Sequence, residues 1–84
     1  MSKEVKYSDS SVKYLARLAK NVRTDITAKI DLLADHPEAL VNNITKLQGY
    51  DDFYRLRVGN YRVIYTNTLE ILFIEEIGPR GSIY

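Results

Sequence analysis

The stretch 53-FYRLRVGNYRVIY-65 holds two alternating runs on either side of Gly59-Asn60, with three arginines and no carboxylate in its thirteen residues. Gly-X between two such runs is a two-residue hairpin turn, because glycine accepts the positive φ that a type II′ turn needs at its first central position. The turn fixes the register. Val58 lies opposite Tyr61, Arg57 opposite Arg62, Leu56 opposite Val63, Arg55 opposite Ile64 and Tyr54 opposite Tyr65. Opposed side chains share a face and successive ones alternate. Tyr54, Leu56, Val58, Tyr61, Val63 and Tyr65 therefore form one side, fit for a core, and Arg55, Arg57 and Arg62 gather on the other. Like charges directly opposed destabilise a strand pair. The cationic side needs either carboxylates, which Glu75 or Glu76 of the next strand can supply, or an external anion.

The pattern extends in both directions from the hairpin. Upstream, Val5 and Tyr7 alternate with Glu4 and Lys6 in a short strand from Lys3 to Tyr7, and Ser8 is placed to cap a helix, with Asp9 beside its positive end. Val12, Leu15, Ala16 and Ala19 recur at helical spacing, and after a break near Asn21 so do Val22, Ile26, Ile30 and Leu33. This predicts two helices, the second ending before Pro37, with both apolar stripes in the core. A loop through His36-Pro37 and Asn42-Asn43 follows. The period then changes to two, predicting strands from Ile44 to Gln48, Phe53 to Val58, Tyr61 to Thr66 and Leu69 to Ile77, with a turn-like tail at Gly78-Pro79-Arg80-Gly81. The expected fold class is α+β: an N-terminal strand, a two-helix hairpin, then antiparallel strands in one small sheet whose one face the helices cover.

Composition narrows the function classes. Eighty-four residues predict a single domain, 1–84. Without cysteine there is no disulfide framework and no thiolate nucleophile or ligand, which suits the cytoplasm. No run resembles a signal peptide or membrane span, so no membrane partner is expected. Twelve basic against eleven acidic side chains give a net charge of +1, so any anion site is local. His36 reads as a surface residue remote from the arginines, and Asp51-Asp52 as a solvated turn whose carboxylates point apart. Neither a metal site nor a cofactor is called for.

Two segments, 47-LQGYDDFYRLRVGNYRVIYTN-67 and 71-ILFIEEIGPRGSIY-84, carry Leu-x-Gly, Arg-x-Arg-Val-Gly-x-Tyr-Arg and Gly-x-Arg-(x)n-Tyr in order. This combination resembles the RelE toxins of the RelE/ParE toxin–antitoxin superfamily, over nearly the whole chain. The resemblance implies a metal-independent endoribonuclease that enters the ribosomal A site, cuts the mRNA codon there and is silenced by a cognate antitoxin, through which alone it reaches an operator DNA. It also implies roles. Arg55 and Arg57 contact the RNA, Arg62 the scissile phosphate, Arg80 assists the leaving 5′ oxygen, and Tyr84 orients or stacks on a base. A central lysine pair is frequent in such toxins. Arginine in its place stays protonated, so Arg55 and Arg57 are poor general bases. Other readings of the same scaffold are a ParE-like toxin acting on DNA gyrase, and a catalytically degenerate toxin that serves as its antitoxin's corepressor.

Overall fold

A computed structural model describes residues 2–49 and 52–81. Its elements are β1 (Glu4–Tyr7), α1 (Asp9–Arg17), α2 (Lys20–Asp35), a 3₁₀ helix (Pro37–Asn43), β2 (Ile44–Lys46), β3 (Tyr54–Val58), β4 (Tyr61–Asn67) and β5 (Ile71–Pro79). The five strands make one sheet in the order β1-β5-β4-β3-β2. β1 runs parallel to β5, and the other neighbours are antiparallel. The α+β class read from the periodicity is the fold observed.

α1 starts where a side chain replaces the missing helical acceptor. Ser8 is extended (φ −67°, ψ 160°), and its Oγ accepts from the Ser11 N–H at 3.2 Å. The same hydroxyl donates to the Glu75 carbonyl at 2.8 Å, so the cap also fastens α1 to β5. The helix break falls at Leu18-Ala19 rather than near Asn21. Leu18 turns extended and packs on the core, while Arg23 of α2 donates from Nη1 to the carbonyls of Leu18 (3.2 Å) and Leu15 (3.4 Å), the latter also accepting from the Leu18 N–H at 3.1 Å. The α1 stripe is also rotated from the expected one. Leu15 is buried, but Val12 is 54% exposed and Ala16 and Ala19 face solvent, while Ser11 is wholly buried with Oγ donating to the Ile74 carbonyl. Small polar Ser11 brings α1 close to β5, a contact that hydrophobic periodicity does not register.

α2 follows its sequence pattern, burying Ile26, Ile30 and Leu33 against Leu56, Val58, Val63, Leu72, Ile74 and Ile77. The segment expected to be a loop is instead a 3₁₀ helix that starts at Pro37 and is anchored by the buried Leu40. One apolar anchor gives no period to detect. β2 is shorter than expected, and β5 is shifted, beginning at Ile71 and running through Gly78 and Pro79, which pair with Arg62 and Tyr61. Leu69, 95% exposed, belongs to the preceding turn, where the Thr68 hydroxyl accepts from the N–H groups of Glu70 and Ile71. Pro79 lies beyond Ile74, the last residue of β5 that pairs with β1. The Arg80 N–H donates across to the Asn60 carbonyl at 2.7 Å. Since successive N–H groups alternate in direction, the pairing with β4 takes its donor from Arg80 and asks none of Pro79.

Candidate functional site: an arginine face at the hairpin tip

The β3–β4 pairing is the register that the two-residue turn predicts, from Val58 opposite Tyr61 to Tyr54 opposite Tyr65. Gly59 has φ +57° and Asn60 is not in the positive-φ region, as a type II′ turn demands. Tyr54, Tyr61 and Tyr65 are on the helix side. Tyr54 and Tyr65 stack at 5.5 Å, Tyr61 meets Tyr14 edge-on at 6.4 Å, and burial pushes the Tyr65 hydroxyl up to about 12. They belong to the core.

The opposite face is built in rows across the sheet. Thr45, Arg55, Ile64 and Glu76 are successive partners in one row, and Arg57, Arg62 and Gly78 in the next. Two residues on from Gly78, Arg80 returns to the same side by strand alternation. Both β5 and the Arg80–Asn60 bond deliver it there, where the sequence alone indicated only a turn of sufficient length. One apolar side chain, Ile64, lies beside the arginines as the cross-strand partner of Arg55. Ile64 is only 1% exposed although it lies outside the main core cluster.

The four charges act on one another. Arg62 is pushed below the usual guanidinium range, first by desolvation and then by the charges of Arg55, Arg80 and Arg57. Its Nη1 donates to the Tyr61 carbonyl at 3.3 Å, holding the head along β4. The register shift between Ile64 and Tyr65 leaves Glu75 without a cross-strand partner, and its carboxylate accepts from the Thr66 hydroxyl at 3.1 Å. Among the described residues the ion pairs are Lys6–Glu4 and His36–Glu38. Neither Glu75 nor Glu76 thus forms an ion pair with Arg57, Arg62 or Arg80. Tyr84, the fifth site residue read from the sequence, lies outside the described residues, as does Asp51.

Sequence reasoning passed over three polar neighbours. Asn42, Asn43 and Thr45 join Arg55, Arg57 and Arg62 around a recess of about 130 Å³. Thr45 is detectable only once β2 is known to pair with β3, and Asn42-Asn43 only once the 3₁₀ helix is known to end there.

A family model described as ParE toxin of type II toxin–antitoxin system, parDE, matches residues 5–84. The chain belongs to that toxin family. Within it the likeness is to RelE-type toxins. RelE in the archaeal RelE–RelB complex from Pyrococcus horikoshii is 32% identical, with 99% of this chain and 100% of that one covered and a TM-score of 0.81. The RelB–RelE complex from Methanococcus jannaschii gives 26% identity, 94% coverage of both chains and a TM-score of 0.74. Toxin RelE3 of Methanocaldococcus jannaschii is 38% identical over 42 residues, which are 50% of this chain and 48% of that toxin. The arginine face is thus a feature of a RelE-type toxin.

Proposed function

We propose that this RelE-type toxin is a ribosome-dependent endoribonuclease that cleaves mRNA in the A site and so arrests translation. The observation that carries the reading is the gathering of Arg55, Arg57, Arg62 and Arg80 on one face, beside the buried Ile64. A phosphodiester is matched by guanidinium forks, which offer paired donors in a plane. The chemistry asks for little else. When the RNA's own 2′-OH attacks the adjacent phosphorus, a 2′,3′-cyclic phosphate forms as the bond to the 5′ oxygen breaks, the 2′ proton passes to solvent and the 5′ oxygen takes one up, and the enzyme contributes in-line positioning and stabilisation of the added negative charge. In this scheme Arg62 holds the scissile phosphate, Arg55 and Arg57 hold the flanking RNA, Arg80 assists the leaving oxygen, and Tyr84 orients or stacks on a base. The ribosome presents the messenger.

An antitoxin is the second proposed partner, because the two archaeal neighbours are toxins solved with RelB. Operator DNA is reached only through it, and the complex works in the cytoplasm. Expression without antitoxin is expected to stop growth and to leave new RNA ends within codons on translating ribosomes. Arrest with intact messenger would reject the nuclease. The family model's own description favours one other reading, a ParE-like toxin acting on gyrase. Inhibition of purified gyrase in a supercoiling assay would establish that rival. Deleting Tyr84 separates its role from folding: cleavage should fall while the melting temperature stays put, and wild-type cleavage by the truncated chain would remove Tyr84 from the site.

A further inference from the structure

The face that carries the arginines also carries apolar side chains that phosphate binding does not require. A sheet face turned to water presents polar groups at alternate positions, yet this one presents Leu47, Phe53, Ile64, Ile71 and Phe73. Register places them there. Thr66 pairs with Phe73 and Phe73 with Lys6, while the neighbouring core residue Tyr65 pairs with Tyr54. Phe53, one residue before Tyr54, therefore falls on the side of Thr66, and its carbonyl accepts from the Leu47 N–H at 3.0 Å. Leu47, Phe53, Thr66 and Phe73 form one row across the sheet, two rows along from Arg57 and Arg62. Leu47 and Ile64 are buried outside the main core cluster, which the helices build on the opposite face, whereas Phe53 and Phe73 stay half-buried. Part of each ring remains at the surface.

We propose that Phe53 and Phe73 form a stacking platform for bases of single-stranded RNA that flank the phosphate held by Arg62. The inference rests on the nuclease reading above and extends it from the cut to the neighbouring nucleotides. Arg62 and Thr66 lie four residues apart on β4, so the aromatic row is about 13 Å from the guanidinium row at about 3.3 Å per residue. A few nucleotides of single strand cover that span. Arg55 stands in the row between, opposite Ile64, and supplies a cation under the connecting backbone. Guanidinium groups on the phosphates and aromatic rings under the bases are the combination by which proteins grip single strands, and every base has a π-face to stack. The platform thus adds affinity and length dependence without selecting a base. Continuity with four arginines on the same face favours RNA over an apolar peptide as its occupant.

The test measures binding of single-stranded RNA by the full chain and by Phe73→Leu and Phe53→Leu, which keep an apolar side chain and remove the ring. A trinucleotide reaches the arginines alone, and a longer oligonucleotide reaches both rows. 2-Aminopurine is placed at each position of the longer RNA in turn, because stacking quenches its fluorescence. The unaltered chain should bind the longer RNA more tightly and quench the probe at a position away from the arginines. Phe73→Leu should weaken the longer RNA about tenfold, the scale of one lost stacked base, remove that quenching and leave the trinucleotide unaffected. A folding defect weakens both RNAs alike, and Phe53→Leu then carries the test. Undiminished binding of the longer RNA by the folded variants would overturn the platform, and a loss of antitoxin affinity in its place would assign the rings to a protein interface. Cleavage on programmed ribosomes by the same preparation keeps the two readings apart. Cleavage without quenching removes the platform alone, and absence of cleavage by the unaltered chain removes the nuclease reading and this inference with it.

Discussion

Arg62 illustrates how a single residue trades stability for function. It sits directly opposite Arg57, and desolvation, followed by the charges of Arg55, Arg80 and Arg57, pushes its guanidinium below the usual range. Removing it should relieve like-charge repulsion. Arg62→Ala is expected to raise unfolding stability by a few tenths of a kcal/mol in denaturant titration, while RNA cleavage falls on the order of 10²-fold or more. Equal losses of both would make Arg62 an ordinary packing residue. Tyr65 behaves in the opposite way, as a core group with a titratable end. Burial first, and then Tyr54, raise its hydroxyl to about 12 from an ordinary 10.0. A raised acid favours the protonated folded form, so this stabilisation is complete below pH 10 and lost as pH rises from about 10 to about 12. Thermal melts across that window should show Tyr65→Phe losing less stability than the parent.

At the scale of elements, the hairpin and the helix junction rest on different physics. Gly59 has φ +57°, and a Cβ there would meet no atom within 4 Å, so Gly59→Ala costs backbone strain alone. The expected loss is about 1–2 kcal/mol, visible as a lower denaturation midpoint with an unchanged m-value. The α1–α2 junction depends instead on Arg23, whose guanidinium closes the end of α1 through two carbonyls. Arg23→Ala should destabilise the fold by about 1 kcal/mol or more, and hydrogen exchange should quicken first in the last turn of α1. The hairpin was fully legible because a two-residue turn admits only one register and local alternation does the rest. The junction was not. Leu18 leaves the helix to reach the core and Arg23 caps it from the next element, and neither event has a signature in hydrophobic spacing.

For the whole molecule, a net charge of +1 conceals a concentrated cationic face. Binding of a short single-stranded RNA should weaken with salt at a log–log slope no steeper than about −2.8, for four arginines at about −0.7 per neutralised phosphate, and Arg57→Ala should flatten it by about 0.7. A slope near zero in fluorescence anisotropy titrations would mean that the arginines do not grip the backbone. The sequence by itself determined the α+β class, the β3–β4 register and the side on which Arg55, Arg57 and Arg62 emerge. These follow from turn geometry and a period of two, which act between residues close in the chain. Only the tertiary structure decided the strand order, the parallel placement of β1, the turn of α1 onto Ser11, the extension of β5 that carries Arg80 to the hairpin tip, and the meeting of Asn42, Asn43 and Thr45 with the arginines. These depend on which distant segments pair, and pairing is selected by the burial and hydrogen bonding of the assembled sheet, which no local pattern encodes.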